Sequence, residues 1–466
     1  MTPCGSNKLS EITPFQTYTE TVSSLDQNPE LERRHRSFFD VFARMTSCFN
    51  GVIFGFNNRS VTTHSSKNLA KICSLEEEKQ FNEEDCFVDL SLANVTTIDD
   101  ENEEFVFPNG RLSLIREIAR GSFGVVFQAS YSTSTQKKAM NVAAKINIQH
   151  QESINNSFTI DSFNNEAGFL KEIKKLDTND NHHIVRFIDF FQISINEVCL
   201  VLEYGDLNLK EFINQNKNTG GVSLARTAKI MEQIFKALNF LHTRRPCIIH
   251  NDLKPANILV SLKPYPKIKI ADFGVASKGI QRNLNNDYLC TRWYRSPEFV
   301  LGSPYSSGSD MWSSSCIAFE IHSGEALFSA DSQNDLLIMH SQLLGSVSAD
   351  FYKLIHPSIK HKFQPSFYGG DSFQLKAENV SNPSFENRWD FFNKHMAKNG
   401  NEDDDMHSKE NYILFRSMLF DIFKWFPGRR ATAFKSLNSG FIKKLQTLNT
   451  VASNSDQEHT ITTAFS

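Results

Sequence analysis

Residues 248–257 read Ile-Ile-His-Asn-Asp-Leu-Lys-Pro-Ala-Asn. This short stretch offers a carboxylate (Asp252), a cation two positions on (Lys254) and a carboxamide able to ligate a metal (Asn257). Fifteen residues beyond Asn257 stands a second carboxylate, Asp272, in the run Ile270-Ala271-Asp272-Phe273-Gly274. Short apolar runs around a turn fill the interval. Such a set suits the transfer of a phosphoryl group. That chemistry asks a protein for little covalent work; it asks for a positioned hydroxyl and neutralised phosphate charge.

Two further parts lie upstream. Residues 118–126 read Ile-Ala-Arg-Gly-Ser-Phe-Gly-Val-Val. Glycines in such a hairpin let backbone amides approach phosphates, because no Cβ stands in the way. Val142-Ala143-Ala144-Lys145 is a strand-like run that ends on a lysine. The order is glycine loop, lysine, catalytic loop, Asp-Phe-Gly, and then Ser296-Pro297-Glu298. A chain with these parts in this order resembles the eukaryotic protein kinases. The resemblance implies an α+β, bilobal kinase fold over residues 112–445, with a small β-rich N-lobe (112–204) and a larger α-helical C-lobe (205–445).

The roles that follow are those the resemblance implies, with ATP and Mg2+ as cofactors. Ile118, Ala119, Arg120, Gly121, Ser122, Phe123, Gly124, Val125 and Val126 form the loop over the nucleotide. Lys145 binds the α- and β-phosphates and is held by a helical carboxylate. Glu166 is the candidate, since it precedes Leu170 by four and shares its helical face; Glu172 faces elsewhere. Asp252 orients the substrate hydroxyl and accepts its proton, and Lys254 contacts the γ-phosphate. Asn257 and Asp272 hold magnesium. Val126, Ala143 and Leu259 sandwich the adenine, with backbone hydrogen bonds from Glu203 and Gly205. Leu202 guards the back of that pocket, and Leu170, Phe187, His250 and Phe273 stack between the lobes.

Residues 291–295, Thr-Arg-Trp-Tyr-Arg, are similar to the CMGC group. That group contains the MAP, glycogen synthase, dual-specificity tyrosine-regulated and SR-protein kinases. Asp310-Met311-Trp312-Ser313 and Ile317-Ala318-Phe319-Glu320 resemble the last two branches. Arg295 is the group's marker, Glu298 is expected to pair with Arg430, and residues 350–410 fall where the group carries an insert. Tyr288 lies three before Thr291, the spacing of an activating phosphotyrosine in related kinases, and an unmodified aromatic fits equally. Two positions depart from the pattern: Ala119 replaces the first loop glycine, and Asn251 replaces the arginine before Asp252. That arginine usually grips a phosphate on the activation segment, which asparagine cannot do as a charged bidentate partner. The expectation is a serine/threonine kinase acting on protein substrates, with weak phosphate control. The alternative is a pseudokinase scaffold that binds nucleotide or partners without efficient catalysis.

Composition sets the outer bounds. Of 466 residues, 40% are hydrophobic, ample for a large core, and the net charge is −4. Nothing in that balance marks a nucleic-acid or membrane partner, and no stretch is long and apolar enough for a membrane span. The eight cysteines form no Cys-x-x-Cys pair, which suggests reduced thiols in an intracellular protein of the cytoplasm, the nucleus or both. Residues 1–107 hold 9 basic and 18 acidic residues, a composition that predicts a mostly disordered extension, open to an unidentified partner. Phe38-Phe39-Asp40-Val41-Phe42-Ala43-Arg44-Met45 reads as a short helix within it. A disordered tail is expected over 446–466.

Overall fold

The computed structural model describes residues 93–94, 97–99, 104–107, 110–121, 124–135, 138–147, 156–194, 196–217, 221–262, 266–281, 291–367, 371–376 and 409–444. The helix expected at Phe38 and the tail from 446 lie outside the described residues.

Three strands come before residue 108: β1 (Ala93–Asn94), β2 (Thr97–Asp99) and β3 (Glu104–Phe107). They fall in the acidic segment for which composition predicts disorder. The physical reason is apolar burial that the acidic clusters mask. Phe107 is 3% exposed, and its ring stacks 4.7 Å from Phe191 and 5.9 Å from Tyr131. The hairpin of β4 (Gly110–Arg120) and β5 (Gly124–Thr133) follows, then β6 (Met140–Asn147). Helix α1 (Asn156–Leu176) leads to β7 (Phe187–Ser194) and β8 (Glu197–Glu203).

These strands make one sheet in the order β1-β7-β8-β6-β5-β4-β3-β2. β1 and β2 occupy opposite edges, yet only residues 95 and 96 separate them. Three Cα–Cα steps reach about 11 Å at most, so the sheet curls until its edges nearly meet. α1 lays one stripe on it: Phe163, Ala167, Leu170 and Ile173, all buried, at helical spacing.

The rest is mainly helical. β9 (Leu207–Asn208) opens helix α2 (Leu209–Asn216), whose first turn carries a capping box between Asn208 and Glu211. Helix α3 (Leu224–His242) starts at the Ser223 cap and buries Leu224, Met231, Phe235 and Leu238. Four short strands carry the loops of interest: β10 (Ile248–Ile249), β11 (Ile258–Ser261), β12 (Lys267–Ile270) and β13 (Ser277–Lys278). Helix α4 (Gly308–Ser323) is buried on nearly every side and ends where Gly324 takes a left-handed φ of 76°. Helices α5 (Gln333–Leu344) and α6 (Lys409–Ile422) flank it.

Between α5 and α6 the sequence suggests helix and loop. The structure adds a small sheet there, of β14 (Val347–Ser348), β15 (Phe363–Pro365) and β16 (Ser372–Leu375). Tyr352 stacks on Phe373 at 3.7 Å and anchors it to the core. Among the described residues, no helix is long and apolar enough to cross a membrane.

Candidate active site

Lys145 sits mid-sheet on β6, opposite Val126 of β5 and Leu200 of β8. Glu166 occupies the buried stripe of α1 and is 1% exposed. The Lys145 Nζ lies 2.7 Å from Glu166 Oε2 and 2.9 Å from Asp272 Oδ1, so one ammonium joins two carboxylates. Glu172 turns away, as its place on α1 suggests, and pairs with Lys278 at 2.9 Å. Burial works against the Lys145 charge, but the Asp272 and Glu166 carboxylates outweigh it and raise its pKa. Burial raises Glu166 despite the lysine. Burial would raise Asp272 too, but Lys145 outweighs it and holds that carboxyl below its ordinary value. Asp272 is the open member, 37% exposed, and a left-handed φ of 69° aims it. Glu166 Oε1 also accepts the Phe273 N–H at 3.3 Å, tying α1 to the Asp-Phe-Gly turn.

A buried carboxylate of α4 pins the catalytic loop. Asp310 accepts the His250 N–H at 2.9 Å and the Asn251 N–H at 3.0 Å, and its Oδ2 lies 2.9 Å from His242 Nε2. Burial opposes its charge, but His242, His250 and the backbone donor keep its pKa low. Asn251 takes a left-handed φ of 68°, a conformation asparagine tolerates better than most residues. Downstream, Asp252 is held on both oxygens. Oδ1 accepts the Thr291 N–H at 2.8 Å; Oδ2 accepts Lys254 Nζ at 2.6 Å and Asn257 Nδ2 at 3.2 Å. Lys254 also donates to Thr291 Oγ1 at 2.9 Å. The Ala271 N–H donates to the Asn257 carbonyl at 2.8 Å, which keeps Asn257 and Asp272 on adjoining chain segments. His250 and Phe273 meet edge to face at 4.9 Å, and Phe273 shares one core cluster with Leu170 and Phe187.

Glycine geometry shapes the cleft between these groups. A Cβ on Gly124 would sit 2.5 Å from the Ile146 carbonyl and 2.8 Å from the Phe163 ring. A Cβ on Gly205 would sit 2.9 Å from Leu259 Cβ, so a side chain there would push the residue expected under the adenine. Ala119 is accommodated: it is exposed on β4, paired opposite Val126. Its neighbour Arg120 pairs with Glu117, and Ile118 is half-buried. Val125 and Ala143 are buried, whereas Val126, Leu259 and the Gly121 end of the turn are more open. Ser122 and Phe123 lie outside the described residues. Glu203 accepts the Arg186 N–H at 2.7 Å and pairs with Lys269 at 2.7 Å, which fixes the chain leading into Gly205.

The segment ending in Glu298 is anchored as the motif suggests. Arg430 Nη1 and Nη2 reach the two Glu298 oxygens at 2.7 and 2.6 Å, with both side chains at most 1% exposed. Arg292 donates to the Asp331 carbonyl and Arg295 to Gln333 Oε1. Tyr288 lies outside the described residues. Several residues of this site carry no functional signal in the sequence. Thr291 and Asp310 stand inside motifs that in sequence mark the subgroup, and only the fold makes them partners of Asp252 and its loop. Asn165 and Ser277 carry no motif signal at all.

Comparison with known proteins agrees with this geometry. A family model for the protein kinase domain matches residues 112–442. The chain is 33% identical over 236 residues to dual specificity tyrosine-phosphorylation-regulated kinase 2 of Drosophila melanogaster, covering 50% of the chain and 30% of that protein. It is 34% identical over 202 residues to cyclin-dependent kinase-like 5 of Mus musculus, covering 43% of the chain and 20% of that protein. The chain thus spans less than a third of the length of either relative. It belongs to the protein kinase family, and its relatives place it with the CMGC kinases.

Proposed function

We propose that the chain is an active serine/threonine protein kinase that moves the γ-phosphate of ATP to hydroxyls of intracellular protein substrates. The observation that carries this reading is the unbroken charged chain from Glu166 through Lys145 to Asp272. A pseudokinase scaffold is the weaker reading, because none of the groups needed for transfer is replaced or held apart.

In this mechanism Lys145 meets the α- and β-phosphates, and Glu166 keeps it in place. Asp252 receives the substrate hydroxyl and takes its proton as the oxygen attacks the γ-phosphorus, whose bond to the bridging oxygen breaks so that ADP leaves. The hydrogen bonds from Thr291 and Lys254 fix the direction of that carboxylate. Lys254, already 2.6 Å from Asp252, is placed to meet the transferring phosphoryl group as well. Asn257 and Asp272 offer hard oxygen ligands of the kind magnesium takes, alongside nucleotide phosphates. Magnesium there would neutralise charge on the phosphate oxygens.

Asp252→Asn tests the proposal. It keeps the shape of the loop and removes the base, so turnover on a peptide substrate should fall by at least about a hundredfold. Equal initial rates for the variant and the parent would overturn it.

A further inference from the structure

The turn that follows Asp272 is gripped from two sides by carboxamides. From α1, the Asn165 Nδ2 lies 3.0 Å from the Gly274 carbonyl and 3.2 Å from that of Ala276, with the Phe273 carbonyl at 3.4 Å. One amide group has two N–H bonds, so the two shorter contacts use its capacity. Ser162, on the same face of α1, donates to the Gly274 carbonyl at 3.3 Å. The seat is close: a Cβ on Gly274 would come within 2.5 Å of the Ser162 hydroxyl. From the catalytic loop, the Asn251 Nδ2 donates to the Val275 carbonyl at 2.8 Å and to Ser277 Oγ at 2.9 Å, again using both N–H bonds. Turning Asn165 over would set an oxygen against two carbonyls, and turning Asn251 over would set one against the Val275 carbonyl, so the contacts themselves fix each orientation.

Resting on the kinase reading above, we propose that Asn165 and Asn251 are positioning residues for phosphoryl transfer, forming an uncharged latch that holds residues 273–277 in the transfer geometry without a phosphate on the activation segment. Each stands directly before a residue of the site, Glu166 and Asp252, and both grip the turn after the third, Asp272. The latch therefore joins α1, the catalytic loop and the head of the activation segment at one place. Every donor in it is an amide or a hydroxyl. An arginine at position 251 would bring a charge that needs an anion; Asn251 completes its donor bonds within the chain. The catalytic alignment is thus built in at folding.

The test uses the full chain, phosphatase-treated or not, with Asn165→Asp and Asn251→Ala. Asn165→Asp keeps size and turns donors into acceptors facing carbonyls; Asn165→Ala replaces it should it fail to fold. The treated parent should keep its rate. Each variant should lose roughly tenfold in kcat, the loss expected for about two net hydrogen bonds, with KM for ATP changed less than about twofold. Variants with the full parental kcat would overturn the latch, and so would a parent silenced by phosphatase. A parent unable to transfer phosphate defeats the kinase reading separately. The latch is then decided by hydrogen exchange at the Val275 and Ala276 amides: faster exchange in the variants supports it, and unchanged exchange overturns it.

Discussion

The Asp-Phe-Gly turn is fastened twice, and the two fastenings differ in kind. On the nucleotide side the links are ionic: Lys145 between Glu166 and Asp272. On the activation-segment side they are uncharged: Asn165 and Asn251 to carbonyls of residues 274–276 and to Ser277. In the proposed reaction the first meets phosphates, which accounts for its ionic character. The second has no charge to meet once asparagine stands in place of arginine, and a neutral bond does not wait for a modification. Function thus calls for charge at one face of a turn and dispenses with it at the other, a few residues away.

Removing the ionic fastening should produce the largest effect. Lys145→Met takes away the phosphate contact and leaves two carboxylates facing each other, with Glu166 buried. Burial already raises the pKa of Glu166, and without the lysine it should bind a proton instead of staying charged. Phosphate transfer should fall roughly a hundred- to a thousandfold, as when a preorganised electrostatic group is lost, while the melting transition survives. Initial rates and a thermal melt on the same preparation check this. A normal rate would show that the third large strand is in a different register from the one described.

Acid separates charged groups from uncharged ones. Asp272 and Asp310 have folded pKa values below the ordinary 3.8. Their stabilisation is present above that value and is lost as pH falls through the lower folded one. The amide latch does not titrate. His340 acts earlier. Burial beside Trp312 and Phe328, helped by the Arg430 charge, lowers its pKa from 6.5 to about 3. Between those values the unfolded chain binds a proton that the folded chain refuses, so stability should fall as pH drops from 6.5 towards 3. His340→Leu, close in volume, should flatten the melting temperature against pH in that window and leave the Asp-dependent fall below it. A parallel slope in the variant would mean that another group governs the range.

Legibility in the sequence follows the same division. Asp252, Lys254, Asn257 and Asp272 stand at fixed short spacings, and Glu166 follows from one helical face. Short motifs of this kind are what the resemblance to protein kinases rests on, and it is the resemblance that assigns these residues their roles. Asn165 and Ser277 are joined to the turn only by tertiary contact, and nothing in their neighbourhoods marks them. Phe105, Val106 and Phe107 form a short apolar run of which Phe107 is buried, but it directly follows an acidic run that makes the whole segment read as polar. Asp310 lies 58 residues from Asp252. Only the packing of α4 beneath the catalytic loop shows that its carboxylate orders that loop's backbone.

The smallest expected effect is at Tyr288. Its spacing before Thr291 matches an activating phosphotyrosine, yet the residue that would receive such a phosphate from the catalytic loop is Asn251, both of whose N–H bonds are already given to Val275 and Ser277. Arg292 and Arg295 follow Tyr288 in the same segment, and they already donate to Asp331 and Gln333. Arg292 is exposed whereas Arg295 is buried, so a phosphate meeting Arg292 would add a pair of the exposed kind, worth up to about 1 kcal/mol. Tyr288→Phe should therefore stay within about fivefold of the parental rate. The comparison is made on one peptide with untreated protein, and the Asn165→Asp variant serves as the reference for a broken latch. If Tyr288→Phe fell below that variant, a phosphate would be doing what the carboxamides are assigned, and the uncharged side of the turn would have to be read as a support for a charged switch.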